Sequence, residues 1–141
     1  ILLDTNVLID AFDPAARLHA WASHLIRDGL LGEGVAINPV ILAELCVGDL
    51  TPHTVAERLE TLGVVILDLP SAISTRCARA YAGYLQNRRK QATPEAPKVP
   101  LPDFFIGAHA SFLSLPLATA DLNRYQTYFP EIKLITPPIS P

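Results

Sequence analysis

Five short apolar runs, separated by longer amphipathic stretches, recur along the chain. Each run is short, rich in Val, Ile and Leu, and bounded by turn or capping residues, which is typical of a buried β-strand. Strands that alternate with helices predict a parallel sheet covered on both faces. We therefore expect an α/β fold, a three-layer α/β/α domain with a short central parallel sheet, built as one domain over residues 1–141. The expected strands are 1–3, 35–37, 64–67, 117–119 and 133–136.

Capping residues and prolines mark the expected helix boundaries. A capping side chain followed by proline predicts a helix start at Asp13-Pro14, Asn38-Pro39 and Thr51-Pro52, with ends near Gly29, Gly48 and Gly63. A further helix is expected to begin at Ser71 and to end in the basic residues 88–90. Residues 93–102 contain four prolines and predict a loop, after which Asp103 begins an apolar helix.

Composition narrows the class of protein. Half of the residues are hydrophobic and 18% are charged, which is enough apolar material for a folded core. No run approaches the ~20 apolar residues of a membrane span, and no signal peptide is visible. Cys46 and Cys77 have neither disulfide-framework nor zinc-site spacing. We expect a cytoplasmic protein that does not associate with membranes. The net charge of −3 does not indicate a nucleic-acid binder, so such binding would need local charge or metal ions.

Four acidic residues stand at positions where an α/β fold collects ligands. Asp4 follows the first strand, Asp121 lies two residues beyond the fourth, and Asp103 begins a helix after the proline loop. Glu44 is the only charged residue in an otherwise apolar helix. Ligands bind at the carboxyl ends of the strands in such folds. Each acid alone also has an ordinary explanation as a cap, a turn residue or a solvent-facing position.

The four acids together are harder to explain without a cation. Carboxylates within ~4–6 Å of one another repel, and the sequence shows no equally placed lysine or arginine to neutralise them. Hard oxygen ligands of this kind favour Mg²⁺ or Mn²⁺ over zinc. A metal ion held there would also bind substrate phosphate oxygens, so an acidic pocket could accept a polyanion. We therefore expect a metal site formed by Asp4, Glu44, Asp103 and Asp121.

Four segments resemble the motifs of PIN domains. They are ILLDTNVLID at 1–10, LAEL at 42–45, LPDFFIGAHA at 101–110, and LATAD at 117–121 followed by Arg124-Tyr125 and FPEIKLITP. The resemblance is closest to VapC-like toxins of toxin–antitoxin pairs. It implies a PIN-like fold and an endoribonuclease that uses one or two Mg²⁺ or Mn²⁺ ions. It also implies that Asp4, Glu44, Asp103 and Asp121 are the catalytic metal ligands, that an antitoxin protein is the partner, and that the toxin is a homodimer.

Several further residues are candidates around this site. The last motif reads TAD, where many toxin members have an asparagine near Ala120, and Asn123 is a candidate for that role. Asn6 and Thr119 could orient waters or ligands, or simply cap the backbone. RNA backbone contacts are expected from basic residues, although such residues at a helix end are also typical of a solvated terminus. The candidates are Arg88, Arg89, Lys90, Lys98 and Arg124.

Two other functions remain open from the sequence. A non-catalytic binding module could keep the fold and use it for protein contacts. An aspartyl-phosphate phosphatase also begins with a strand that ends in aspartate, but its DxD motif would need an acid where Asn6 stands, and no supporting lysine is evident.

Overall fold

The computed structural model describes residues 1–90 and 101–139. All five predicted strands are present, each shorter than its sequence pattern, and every neighbouring pair is parallel. The α/β prediction with a short parallel sheet is therefore confirmed. The strands are β1 Leu2–Leu3, β2 Ala36–Ile37, β3 Val65–Ile66, β4 Leu117–Ala118 and β5 Leu134–Ile135.

The strand order reverses beside β1. The order across the sheet is β3-β2-β1-β4-β5, so the chain first builds outward on one side of β1 and then on the other. Leu2 pairs with Ala36 of β2 and with Leu117 of β4. In doubly wound sheets this reversal leaves a crevice at the carboxyl ends of the two central strands. Asp4 and Thr119 are the residues that follow β1 and β4 there.

Seven α-helices connect the strands within the described residues. They are α1 Thr5–Phe12, α2 His19–Leu31, α3 Pro39–Val47, α4 Val55–Leu62, α5 Ser74–Arg89, α6 Leu101–Leu113 and α7 Leu122–Gln126. The cap predicted at Asn38 is present, because its side chain accepts a hydrogen bond from the N–H of Ile41 at 3.0 Å. Gly63 ends α4 in the left-handed region, at a φ of 102° that favours glycine.

Two helix boundaries predicted from capping pairs differ in the structure. Asp13-Pro14 does not begin a helix. Asp13 instead follows the end of α1, and its Oδ1 accepts a hydrogen bond from the N–H of Ala15 at 3.0 Å, which closes a turn. The next helix, α2, begins at His19 and continues past Gly29 to Leu31. Short 3₁₀ turns at Pro52–Thr54 and Ser71–Ile73 precede α4 and α5.

The predicted proline loop is described only at its end. Pro102 lies in the first turn of α6, where a residue without an N–H is tolerated, and not in a loop. The preceding residues 93–100 lie outside the described residues. None of the helices in the described ranges is long and apolar enough to cross a bilayer.

Helices α5 and α6 pack against each other in antiparallel directions. Tyr84 near the end of α5 contacts Phe104 near the start of α6, with ring centroids 5.4 Å apart. Arg76 near the start of α5 donates a hydrogen bond to Ser111 near the end of α6 at 2.8 Å. The carboxyl end of α5 therefore lies at the same end of the molecule as Asp103. This arrangement places the basic residues 88–90 on the side of the candidate site.

Candidate active site

Asp4 is the most heavily hydrogen-bonded carboxylate of the crevice. It is 2% exposed and precedes α1, where its Oδ1 accepts a hydrogen bond from the N–H of Thr5 at 2.8 Å. Its Oδ2 accepts from Thr119 Oγ1 at 2.8 Å, from Tyr125 Oη at 3.1 Å and from Asn6 Nδ2 at 3.3 Å. Four donors therefore fix the orientation of this carboxyl group.

Two of those donors also join the ends of β1 and β4. Asn6 Oδ1 accepts the N–H of Ala120 at 3.2 Å, and Thr119 Oγ1 accepts the N–H of Asp121 at 3.0 Å. The expectation that Asn6 and Thr119 support the site thus has a structural basis, in that both position Asp4. Whether they also orient waters or a metal ligand stays a prediction.

Tyr125 belongs to the last motif, but no role in the site is expected for it from the sequence. It lies on α7, four residues beyond Asp121, and its side chain is 1% exposed. Burial, together with the neighbouring charge of Asp4, raises the pKa of the Tyr125 phenol. The phenol therefore stays protonated and acts as a hydrogen-bond donor. The sequence offered one sign of this role, which is that the tyrosine directly follows Arg124 in the last motif.

Glu44 lies at the exposed side of the crevice. Its helix position faces solvent, as the ordinary explanation for a lone carboxylate predicts, but it is held by a hydrogen bond from Thr5 Oγ1 to its Oε1 at 2.8 Å. Thr5 therefore contacts two of the four acids, through its N–H to Asp4 and its hydroxyl to Glu44. The sequence motifs do not assign Thr5 this role.

Asp121 and Asp103 are joined by one arginine. Asp121 caps α7, and its Oδ1 accepts the N–H of Arg124 at 3.2 Å. The guanidinium of Arg124 then lies 3.3 Å from Asp121 Oδ2 through Nε, and 3.3 Å from Asp103 Oδ2 through Nη1. The expectation that no basic residue neutralises the acids is therefore wrong. It failed because Arg124 reaches Asp103 only through the tertiary fold, across a sequence separation that no local pattern reveals.

Asp103 is a buried acid whose pKa is raised by its surroundings. It lies in the first turn of α6 and is 5% exposed. Burial raises its pKa, Arg124 opposes that shift, and the charges of Asp4, Glu44 and Asp121 add to it, so that the pKa reaches about 6. Its Oδ2 is buried and has no hydrogen-bond donor among the described residues. The other three predicted acids are therefore all close enough to act on Asp103 electrostatically.

Arg124 is stabilised as a cation by this surrounding charge. Burial works against its charged form, but Asp103 and Asp121 outweigh that effect and raise the pKa of the guanidinium. Its side chain is 33% exposed and turned toward the two carboxylates. Arg124 is expected from the sequence to contact the RNA backbone. In the structure, its guanidinium instead pairs with Asp103 and Asp121.

The carboxylate oxygens of the site are suited to a hard cation. In the structure, however, the guanidinium of Arg124 pairs with Asp103 and Asp121. Within residues 1–90 and 101–139, no group of three or more His, Cys, Asp or Glu side chains is placed to hold a metal ion. The available oxygens are nevertheless those that Mg²⁺ and Mn²⁺ prefer. Asp103 Oδ2, which is buried without a hydrogen bond, and Asp4 Oδ1, which accepts one, retain coordination capacity.

The remaining candidates differ in position. Asn123 is exposed and makes no hydrogen bond to any described residue, so no structural feature links it to the acids. Arg89 and Lys90 are exposed and Arg88 is half-buried, all at the carboxyl end of α5. Lys98 lies outside the described residues.

Comparison with known proteins identifies the family. A family model described as PIN domain matches residues 1–130. No curated protein matches the chain. Similar solved structures include a toxin–antitoxin complex from Klebsiella pneumoniae, which is 23% identical, with a TM-score of 0.64 and 96% of this chain and 95% of that chain covered.

Two further structures have the same fold at lower identity. DNA-bound VapBC from Salmonella typhimurium is 21% identical, with a TM-score of 0.67 and 96% of each chain covered. VapC20 from Mycobacterium tuberculosis, described as a Sarcin-Ricin loop cleaving toxin, is 12% identical, with a TM-score of 0.65 and coverage of 94% of this chain and 98% of that chain. The fold is therefore shared, and because the family model spans all but the last strand, the chain belongs to the PIN domain family.

Proposed function

We propose that the chain is a Mg²⁺- or Mn²⁺-dependent endoribonuclease and the toxin of a type II toxin–antitoxin pair. The observation that carries this proposal is the convergence of Asp4, Glu44, Asp103 and Asp121 on one crevice. Burial of Asp103, opposed by Arg124 and reinforced by the charges of the other three acids, raises its pKa to about 6 there. Such charge crowding is costly in a merely structural site and useful in one that binds a cation. Membership of the PIN family and the likeness to VapC20 agree with cleavage of RNA.

Different residues of the chain would have different roles in such a site. Asp4 would ligate through Oδ1, because its Oδ2 is already occupied by three donors. Asp103 would ligate through Oδ2, which accepts no hydrogen bond from the described residues, and Glu44 and Asp121 would complete a site for one or two ions. A divalent cation held there lowers the pKa of an attacking water and offsets charge on the phosphodiester. Tyr125 and Thr119 hold Oδ2 of Asp4 in a fixed orientation.

Arg124 has to leave Asp103 before a cation can bind there. The two ion pairs at 3.3 Å occupy the oxygens that would face the metal. A side chain that is one-third exposed can turn outward, where it could contact a substrate phosphate as the sequence predicts. Arg88, Arg89, Lys90 and Lys98 are further candidates for contacts with the RNA backbone.

An antitoxin partner fits an apolar groove on another face. Helices α1, α3 and α4 border a cavity of about 300 Å³ in which Ile9, Phe12 and Leu62 are each more than half exposed. Large exposed apolar side chains that line one groove are typical of a protein-binding surface. The neighbouring VapBC structures are themselves toxin–antitoxin complexes. Co-expression with the product of an adjacent small reading frame, followed by purification of a stable complex, would test this partner.

The expected homodimer is a separate proposal. Light scattering on the purified protein would test it.

RNA cleavage with matched variants tests the enzymatic proposal. Wild type, Glu44→Gln and Glu57→Gln are incubated with total bacterial RNA and Mn²⁺ or EDTA, and new 5′ ends are mapped. Both glutamates are exposed on helices, so neither change should unfold the protein. We expect metal-dependent cleavage by wild type and Glu57→Gln, and a loss of at least about 100-fold in Glu44→Gln. No cleavage by wild type with either metal would overturn the proposal.

A non-catalytic binding module is the second candidate, because Arg124 already neutralises the carboxylates. In that case neither Mn²⁺ binding nor cleavage would be seen, even after Arg124→Gln. A phosphatase that uses Asp4 as its nucleophile is less compatible with the site. The Asp4 carboxylate is 2% exposed, and three donors occupy its Oδ2.

A further inference from the structure

Helix α5 carries an uneven share of the positive charge. Between Ser74 and Lys90 the sequence holds five of the eleven Lys and Arg residues and no Asp or Glu. The chain as a whole has a net charge of −3, so the rest of the protein is clearly acidic. A basic helix on an acidic protein creates a local positive field that the net charge conceals.

Part of this charge forms a single stripe along the helix. Residues separated by three, four or seven positions share one helix face. Six residues fall on that face, and all but the glycine are exposed donors of hydrogen bonds. They are Arg76, Arg79, Gly83, Gln86, Asn87 and Lys90. We call these six residues the α5 stripe.

The α5 stripe is bordered by an open cavity. A volume of about 420 Å³ lies over Arg76, Arg79 and Gly83, with Thr127 and Tyr128 on its other side. Tyr128 Oη accepts a hydrogen bond from Asn87 Nδ2 at 3.1 Å, which fixes one wall of the cavity to the helix. No heavy atom lies within 4 Å of the place where a Cβ would stand at Gly83, so the cavity is open at this position.

The two arginines of the stripe have different surroundings. Arg76 donates to Ser111 at 2.8 Å and lies over the Phe112 ring at 5.7 Å. Arg79 is exposed and makes no hydrogen bond or ion pair with any described residue. One acid, Glu131, lines the same cavity, where it accepts a hydrogen bond from Ser111. Of the two arginines of the stripe, Arg79 is therefore the one that is available to a ligand.

The stripe leads to the candidate active site. Because α5 and α6 are antiparallel, Lys90 lies at the end of the molecule that holds Asp103, and Arg76 lies at the opposite end. Fourteen residues of helix span about 21 Å, which corresponds to about six phosphates at the ~3.4 Å spacing of a stacked strand. A polyanion that is cut at the acidic crevice could thus follow the stripe away from it.

We propose that the α5 stripe is a binding track for the phosphate backbone of a single RNA strand that extends from the active site to the cavity at Arg79. The inference rests on the proposed ribonuclease function and adds a second contact region to it. Exposed donors from Arg, Gln, Asn and Lys side chains, arranged in one row along the helix, suit phosphate and sugar oxygens. The track would bind strands of several nucleotides regardless of sequence.

Binding in EDTA tests the track apart from catalysis. The probe is a fluorescein-labelled twelve-nucleotide polyuridine, measured by anisotropy at several salt concentrations. Arg79→Gln is compared with Arg27→Gln, an exposed arginine on α2 whose loss changes the net charge equally. We expect Arg79→Gln to weaken binding about tenfold at low salt and to reduce the salt slope by about 0.7, while Arg27→Gln binds as wild type does.

A second pair of variants tests the effect of a negative charge at Gly83, where the cavity is open. Gly83→Glu places a carboxylate in the track, and Gly83→Gln places a neutral side chain of the same size there. We expect weaker RNA binding in Gly83→Glu than in Gly83→Gln, with both proteins folded by circular dichroism. Equal binding by the two Gly83 variants, or equal loss in Arg79→Gln and Arg27→Gln, would overturn the track even if metal-dependent cleavage is observed.

The competing occupant is an acidic protein segment. The same variants are therefore measured with a labelled twelve-residue polyglutamate peptide. Tighter binding of the peptide than of the RNA, with the same dependence on Arg79, would assign the surface to an acidic protein and overturn the RNA track. Failure of the cleavage assay with intact RNA binding would instead overturn the nuclease and leave the track standing.

Discussion

Nη1 of Arg124 lies 3.3 Å from Oδ2 of Asp103, a buried oxygen that accepts no hydrogen bond from any described residue. The pair has the charge complementarity of a salt bridge without the geometry of a hydrogen bond. Asp103 is thus neutralised and yet keeps a free lone pair. An arginine held in this way is a replaceable cation, which is why it bears directly on metal binding.

Replacing Arg124 should expose the acidic crevice to metal. In Arg124→Gln the metal-free protein should lose about 1–3 kcal/mol of stability, because Asp103 loses its cationic partner in a largely buried position. Mn²⁺ should then raise the Tm of the variant by more than it raises that of wild type, since no side chain competes for the site. Differential scanning fluorimetry across a Mn²⁺ titration measures both effects.

The control for this experiment is Arg58→Gln. Arg58 also pairs with an aspartate, at 2.8 Å from Asp49, but on the exposed surface. Its loss should leave the metal-induced shift of Tm unchanged. An equal metal response in wild type, Arg58→Gln and Arg124→Gln would contradict competition between Arg124 and the metal.

Tyr125→Phe should reveal how much the phenol contributes to holding Asp4. The hydroxyl donates to Asp4 Oδ2 at 3.1 Å in a buried position, and hydrogen bonds to charged groups contribute about 1.5–3 kcal/mol. We expect a loss of that order in the free energy of unfolding, measured with urea in EDTA. Tyr128→Phe is the matched control. It removes the exposed contact to Asn87 and should cost about 0.5 kcal/mol. Equal costs would show that Asp4 does not depend on the phenol.

The positions of the acids could be predicted because they follow from local sequence features. Asp4 directly follows a strand, Asp121 caps α7, and Asp103 lies in the first turn of a helix, and each of these features is visible within a few residues. The alternation of strands and helices likewise predicts the parallel sheet, and it implies that strand ends meet at one edge. Glu44 was found because a lone charge stands out in an apolar helix.

The partners of the acids could not be predicted in the same way. Tyr125 reaches Asp4 across 121 positions of sequence, and Arg124 reaches Asp103 only because α7 folds back over the crevice. A five-residue helix has too little periodicity to show which of its faces is buried. The helix start predicted at Asp13-Pro14 was wrong because an Asx turn and a helix cap use the same residue types.

Gly107 should be intolerant of a side chain, unlike Gly83. A Cβ at Gly107, on α6 one turn beyond Asp103, would lie 2.4 Å from the ring of Phe129. Gly107→Ala should therefore destabilise the protein by about 1–3 kcal/mol through overpacking. Gly83→Ala, in open space on α5, should stabilise it by about 0.5–1 kcal/mol because alanine favours a helix. Urea unfolding measures the stability of both variants. A Gly107→Ala protein as stable as wild type would show that the Phe129 ring does not lie against this position.

The raised pKa of Asp103 predicts a specific dependence of stability on pH. The group titrates near 3.8 when unfolded and at about 6 when folded, so between these values the folded state binds more protons. Stability in EDTA should therefore fall as the pH rises from about 4 to 6, by on the order of 3 kcal/mol. Below pH 4 both states are protonated and the contribution vanishes, and above pH 6 the full cost remains.

Asp103→Asn should remove this slope and stabilise the metal-free protein at pH 7.5. The raised pKa already includes the favourable attraction of Arg124, so the ionised carboxylate has a net cost that the amide avoids. Arg124 keeps Asp121 at 3.3 Å as a partner in the variant. The same variant should lose most of the stabilisation by Mn²⁺, whereas Asp28→Asn, on the exposed surface, should change neither property. Urea unfolding at pH 4, 5, 6 and 7.5 measures the slope. A slope that persists in Asp103→Asn would assign it to another group.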